Sequence, residues 1–162
     1  MPLSTLALTS PNDATTWPDH PALQFYATYG QDFTQAFQST SPERYYAADC
    51  QMHAVDNSIL KGGEVLWQYF GQLYPMFPKV TRNFLSIVIV SDNSGTHEMH
   101  NEMITTLYLD AQGNEKVEVP QAFTYTIGQA DEGKGTYGLQ FRKLRCYYDM
   151  SLIDKAKAKL QR

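Results

Sequence analysis

The densest cluster of reactive residue types lies in the segment ADCQMHAVDN, residues 48–57. Cys50, His53 and Asp56 recur there at every third position. On a helix this spacing would place a thiol, an imidazole and a carboxylate on one face, as a metal site or an activated nucleophile requires. On a strand, successive members of the set point to opposite faces. The chemistry of the segment therefore depends on its secondary structure.

Composition and charge narrow the class of protein. The chain has 162 residues and a net charge of −4, which suits one domain. It has no block of Lys and Arg that would indicate nucleic acid as a partner, and no apolar run near the roughly 20 residues that span a bilayer. Residues 1–20 lack the pattern of a signal peptide, so we expect an irregular N-terminal arm before one domain over residues 21–162. Two cysteines do not make a disulfide framework, and we expect a cytoplasmic protein.

Hydrophobic periodicity predicts three helices in the first half of the chain. The first spans residues 21–39, because aromatic residues recur there at four-residue intervals: Phe25, Tyr29, Phe33 and Phe37. The sequence Ser-Pro-Glu predicts a short second helix over residues 41–47. A third helix is predicted over residues 64–73, after a pair of glycines and before two prolines that prevent its continuation.

Alternating and β-branched segments predict strands in the second half. They span residues 83–90, 96–109, 117–127 and 139–149, with turn sequences between them. A short lysine-rich helix over residues 152–160 closes the chain. Helices followed by a run of antiparallel strands give an α+β fold in which the helices pack on one face of the sheet.

Over about residues 21–150 the chain resembles the nuclear transport factor 2-like superfamily, in particular its SnoaL-like branch. YYAADCQMHAV followed by KGGEVLWQYF resembles the family's F-A-D-D segment before a Gly-led helix, and KLRCYYDMS resembles its closing W/I-R-x-Y-F-D segment. The resemblance implies a cone-shaped, curved antiparallel sheet wrapped on three N-terminal helices. It also implies an apolar pocket between the concave sheet face and the first helix, and a homodimer formed through the convex face.

The resemblance makes residues 50–55 a strand, followed by a turn at Asp56. His53 then points away from Cys50, so a nucleophile pair or a metal cluster is not expected, and neither is any other cofactor. The face with Cys50 and Met52 is the more apolar and is placed toward the pocket. If the strand bulged before Ala54, His53 would instead enter the pocket mouth with Asp56 in reach, as a general acid/base pair.

The same alternation predicts which side chains line the pocket. The residues predicted to contact a ligand are Tyr26 and Tyr29 on the first helix and Met52, Met99, Asn101, Met103, Gln121, Phe123, Tyr125, Cys146 and Tyr148 on the strands. These walls suit a flat or polycyclic apolar molecule held by one or two hydrogen bonds, to Asn101 or Gln121. Ordinary core packing would produce the same apolar pattern. The opposite face of the strand at residues 96–109 carries Glu98, His100 and Glu102 and suits a solvated or dimer-forming exterior.

Two functions remain open at this stage. The first is a cofactor-free isomerase, cyclase or lyase that acts on a hydrophobic carbonyl compound, with His53 or Asp56 as the acid/base group. The catalytic positions of the ketosteroid isomerase and limonene epoxide hydrolase branches have lost their carboxylates here, so only the SnoaL-like chemistry remains. The alternative is a non-catalytic ligand-binding or dimerisation module. One observation distinguishes the two functions. The enzyme requires an ionisable side chain that projects into the cavity near a hydrogen-bonding partner, and the non-catalytic module does not.

Overall fold

A computed structural model describes residues 3–161, which form one mixed sheet of seven strands. The strands are β1 Ser4–Thr9, β2 Tyr46–His53, β3 Ile59–Lys61, β4 Lys79–Ser91, β5 His97–Tyr108, β6 Lys116–Gln129 and β7 Leu139–Tyr148. They lie in the sheet in the order β1-β4-β5-β6-β7-β2-β3. The α-helices are α1 Pro21–Gln35, α2 Gly63–Gly71 and α3 Met150–Leu160. The α+β class is confirmed.

The four long strands predicted in the second half are confirmed, with shifted ends. The sheet departs from the antiparallel expectation at one place, because β2 pairs with β7 in parallel. All other neighbouring strands pair antiparallel. No helix within residues 3–161 is long and apolar enough to cross a membrane.

The expectation of three N-terminal helices is wrong in part. The first half contains α1 and α2, but the short helix predicted over residues 41–47 is a single 3-10 turn, Pro42–Arg44. The next residue, Tyr45, is fully buried, and its carbonyl oxygen accepts a hydrogen bond from the Phe141 N–H at 2.7 Å. β2 then begins at Tyr46, so pairing with β7 replaces the helix that the local sequence favours. The third α-helix is C-terminal.

The expectation of an irregular arm is wrong for Ser4–Thr9, which forms the edge strand β1. This strand pairs antiparallel with the second half of β4, from Ser86 to Ser91. Its side chains Leu6 and Leu8 pack against the hydrophobic core. The segment is short and its partner lies about 80 positions later in the chain, so local periodicity alone does not distinguish it from a loop.

Aromatic side chains join the helices to the sheet. The Trp67 ring of α2 stacks on Phe37, with ring centroids 4.8 Å apart and planes 3° from parallel. Tyr29 of α1 packs edge-on against Phe141 of β7, with centroids 5.0 Å apart. A smaller cluster, centred on Ile153, packs α3 over the far ends of β5 and β6. The helices thus cover most of one sheet face, and a space remains beside α1.

Candidate functional site

A cavity of about 510 Å³ lies between α1, the inner face of β4 to β6 and the loop that follows β1. Nine aromatic side chains contribute to its wall: Trp17, Tyr26, Tyr29, Phe33, Phe70, Tyr74, Phe84, Phe123 and Tyr125. Its polar wall residues are Asn12, Thr34, Thr81, Arg82 and Gln121. Both its volume and its apolar character are those of a small-molecule pocket.

The loop after β1 forms one side of the cavity and is fixed by Asn12. The Asn12 Nδ2 donates to the carbonyl oxygen of Phe84 at 3.1 Å, and its Oδ1 accepts from the Phe84 N–H at 2.7 Å. The Trp17 ring N–H donates to the carbonyl oxygen of Pro11 at 3.2 Å, which closes the loop on itself. The N-terminal segment therefore contributes directly to the cavity wall.

A bulge in β4 decides which side chains of that strand face the cavity. The register with β5 shifts between Phe84, which pairs with Met103, and Ser86, which pairs with Glu102. After the bulge, Ile87 points into the core. Before it, Phe84 and Arg82 take the inner face, and both line the cavity. Without the bulge, Arg82 and Ile87 would lie on opposite faces of the strand.

Hydrogen bonds fix the polar groups on the inner face. The Gln121 Oε1 accepts from Thr105 Oγ1 at 2.5 Å, and its Nε2 donates to the Tyr74 hydroxyl at 2.9 Å. The Tyr26 hydroxyl accepts from Asn101 Nδ2 at 2.7 Å. Because the Tyr26 and Tyr74 hydroxyls each accept an amide N–H, the proton of each hydroxyl is available for donation.

Burial is the main influence on the pKa values of the tyrosines in the cavity wall. Burial raises the pKa of Tyr26, Tyr29, Tyr74 and Tyr125, and the positive charge of Arg82 partly offsets this rise at the first three. These phenols are therefore neutral at neutral pH. Of the described residues 3–161, no Asp, Glu, His, Cys or Lys lines this cavity.

His53 and Asp56 lie outside the cavity. β2 shifts register between Tyr46 and Gln51, but from Gln51 to His53 it pairs with β3 and β7 without a further shift, so no bulge directly before Ala54 turns His53 inward. The His53 Nδ1 instead lies 3.2 Å from Nη2 of Arg145 on the outer sheet face. The Asp56 Oδ1 accepts from the Ser58 hydroxyl and N–H at 2.6 and 2.9 Å, which lowers the Asp56 pKa in an exposed turn.

The structure brings together six of the eleven residues predicted to contact a ligand, and separates five from the cavity. Those on the wall are Tyr26, Tyr29, Met103, Gln121, Phe123 and Tyr125. The other five lie away from the cavity wall, contrary to the prediction: Met52, Met99, Asn101, Cys146 and Tyr148. Their strand faces were assigned properly, but helices cover these parts of the sheet. The Asn101 amide contacts the Tyr26 hydroxyl of α1, and the Tyr148 hydroxyl lies 3.4 Å from that of Tyr69 on α2.

The two cysteines are buried thiols. The Cys146 Sγ contacts the Met52 Sδ at 3.4 Å, and Cys50 is fully buried on the same face of the sheet. Burial raises the pKa of both thiols to about 12, so neither is an activated nucleophile. No group of three or more His, Cys, Asp and Glu within residues 3–161 is arranged to hold a metal ion.

Sequence reasoning missed Arg82, Trp17, Tyr74 and Phe84 as wall residues. The predicted strand began at residue 83, whereas β4 begins at Lys79. Extending the alternation backwards places Arg82 and Phe84 on one face, but on the face opposite Ile87, and only the bulge brings them to the inner face. Trp17 had no such signal, because it reaches the cavity through the pairing of β1.

Comparison with known proteins shows the fold. No family model matches the chain, and no curated protein matches it. The Kfla4162 protein from Kribbella flavida is similar in structure, with a TM-score of 0.63, 12% identity and coverage of 88% of this chain and 99% of that chain. A putative scytalone dehydratase from Novosphingobium aromaticivorans has a TM-score of 0.57 and 11% identity, and the match covers 80% of this chain and 85% of that chain. A putative SnoaL-like polyketide cyclase from Shewanella denitrificans has a TM-score of 0.52 and 11% identity, and the match covers 83% of this chain and 95% of that chain.

What is shared at these identities is the architecture. The chain has the nuclear transport factor 2-like fold, and the resemblance seen in the sequence is confirmed at the level of fold. Function must be argued from the cavity itself.

Proposed function

We propose that the protein binds a small, flat and largely apolar molecule in the cavity beside α1, without transferring a proton to or from it. The observation that carries this proposal is an aromatic cavity of about 510 Å³ whose described wall has no carboxylate, imidazole, thiol or amine. General base catalysis requires a group that can accept a proton near the working pH. Neutral phenols and a guanidinium do not accept one at neutral pH.

A second candidate function is a cofactor-free isomerase, cyclase or lyase of the SnoaL-like type. The Tyr26 and Tyr74 hydroxyls favour it, because each accepts an amide N–H and can donate its own proton to a substrate carbonyl oxygen. A base would then have to come from the substrate or from water. A catalytic role for His53 and Asp56 remains a prediction, and their positions outside the cavity do not favour it.

A homodimer and a cytoplasmic location also remain proposals. The outer sheet face offers Tyr147 of β7, which is 48% exposed, and the charged residues Glu98 and Glu102 of β5, with β6 between the two strands. Exposed aromatic side chains such as Tyr147 are enriched at subunit interfaces, whereas Glu is depleted there, so Tyr147 is the residue that supports the dimer proposal. Light scattering on the purified chain measures the oligomeric state directly.

Filling the cavity tests the binding function. Gly30 lines the cavity from α1, and an added Cβ at this position would meet no atom within 4 Å. We expect Gly30→Trp to place an indole ring in the cavity and to raise the Kd of the apolar dye N-phenyl-1-naphthylamine at least about tenfold, a loss of about 1.4 kcal/mol. Fluorescence titration measures the Kd.

The matched control is Ala158→Trp, which adds the same side chain at an exposed position of α3. This variant should bind the dye as the unsubstituted chain does, and both variants should melt within a few degrees of it. Equal dye affinity of the folded Gly30→Trp variant would place binding elsewhere and would overturn the proposed function.

A further inference from the structure

Arg82 differs from the other arginines within residues 3–161. Arg44 and Arg142 form ion pairs with aspartates at 2.8 and 2.7 Å, and Arg145 contacts a histidine ring on the outer face at 3.2 Å. Arg82 has no carboxylate within ion-pair distance and no hydrogen bond to another residue of the described chain. Its guanidinium is therefore a cation without a protein counter-ion.

The position of Arg82 directs this charge toward the cavity. Arg82 pairs with Thr105 across the β4–β5 ladder, and Thr105 is fully buried, so both side chains lie on the inner sheet face. The Arg82 guanidinium carbon lies 5.6 Å from the ring centroid of Tyr74, over the ring. A guanidinium that lies over an aromatic ring keeps its N–H edge free for a planar acceptor.

The surroundings of Arg82 lack the partner that such a group ordinarily has. A guanidinium has five N–H donors in a fixed fork, which match the two oxygens of a carboxylate. Arg82 is half-buried, and no acid from any element lines the cavity beside it within residues 3–161. A ligand anion would supply the missing acceptors where solvent screening is weaker than on an open surface.

We propose that the ligand of this cavity is a flat apolar molecule that carries one anionic group, and that Arg82 binds this group through paired N–H donors. A carboxylate or a sulfonate attached to an aromatic or polycyclic body has this chemistry. This inference rests on the proposed binding function and adds the charge class of the ligand to it.

Two dyes with the same ring system separate charge recognition from apolar binding. 8-Anilinonaphthalene-1-sulfonate is anionic, and N-phenyl-1-naphthylamine is the same body without the sulfonate. We expect Arg82→Gln to raise the Kd of the anionic dye at least about tenfold and to leave that of the neutral dye within about twofold, since hydrogen bonds to charged groups are the stronger ones. Arg145→Gln, on the outer face, is the matched control and should change neither value.

Arg82→Lys provides a second variant, because it keeps the charge and removes the planar fork. It should retain part of the preference for the anionic dye, and it keeps the test available if Arg82→Gln fails to fold. An equal change for both dyes, or no change for either, in a folded Arg82 variant would overturn the inference and leave the binding function standing. Failure of the unsubstituted chain to bind either dye would overturn the binding function as well.

Discussion

Ser91 connects two histidines where α1 begins beside the ends of β4 and β5. Its hydroxyl oxygen lies 2.7 Å from Nδ1 of His97 and 3.3 Å from Nε2 of His20. His20 caps α1, since its Nδ1 accepts the Ala22 N–H at 3.2 Å. A neutral His20 ring then carries its proton on Nε2 and can donate it to Ser91. Protonation of Nδ1 would remove the cap and place a positive charge at the helix N-terminus, which the helix dipole disfavours.

This cluster predicts a loss of stability in mild acid. Burial lowers the pKa of both histidines, the neighbouring His20 lowers that of His97 further, and Asp92 acts against this at His97. The unfolded chain binds more protons than the folded chain between the lowered pKa values and about 6.5. The free energy of unfolding should therefore be highest above about pH 6.5 and should fall as the pH decreases through that value.

The measurement is urea unfolding between pH 5 and 8, with two variants. His97→Gln keeps a polar side chain beside Ser91 and should flatten the pH dependence near pH 6. His100→Gln, at an exposed position of β5, should preserve it. An unchanged slope in the folded His97→Gln variant would show that the acid-sensitive group lies elsewhere.

At the scale of elements, two helical glycines should respond in opposite directions to the same substitution. Gly30 is in the middle of α1, and no atom lies within 4 Å of the position of an added Cβ. Gly63 begins α2, where an added Cβ would lie 2.8 Å from the Tyr46 Cβ and 3.0 Å from its carbonyl oxygen. These atoms belong to or adjoin the β2 backbone and cannot move aside cheaply.

Gly30→Ala should therefore stabilise the protein by about 0.5–1 kcal/mol, the helix-propensity difference between the two residues. Gly63→Ala should destabilise it by about 1–3 kcal/mol, the usual range for overpacking. Chemical unfolding of both variants measures these changes. A neutral Gly63→Ala would mean that α2 is not pressed against β2 as closely as the distances indicate.

The loop after β1 should control access to the cavity. Beyond the end of β1, the Asn12 side chain continues the hydrogen bonding along β4 in place of a strand. Asn12→Ala removes both hydrogen bonds, at a cost of about 1–2 kcal/mol. We expect faster association and dissociation of the neutral dye in stopped-flow fluorescence. Asn93→Ala, in the exposed β4–β5 turn, should leave both rates unchanged, and identical rates in the two variants would contradict a gating role.

At the scale of the whole molecule, the sequence alone predicts most of the strands of the sheet but only part of the cavity wall. The strand periods of β4 to β7 are local, so the long strands and the inward direction of residues such as Met103 and Tyr125 were predictable. β1 and the parallel pairing of β2 depend on contacts between distant parts of the chain. Local propensity at residues 41–47 indicated a helix, and tertiary pairing overrode it.

The cavity was predicted in part for the same reason. Alternation gives the face of a strand to which a side chain belongs, but it does not say which part of that face a helix covers. Cys146 therefore had the right face and lies in the core, while Tyr125 has the right face and lies on the cavity wall. The position of Arg82 on the cavity wall depends on a one-residue bulge in β4, which no local pattern in the sequence of the strand indicates.

The placement of β7 has a consequence for biosynthesis. β7 is the last strand to be made, yet it lies between β6 and β2, where Tyr46 pairs with Phe141. While the chain is still emerging from a ribosome, β2 and β3 have no neighbour that joins them to the rest of the sheet. Cys50 and Met52 then lack their neighbours on β7 until residues 139–148 have left the ribosome, so the sheet is joined into one unit only after β7 has been made.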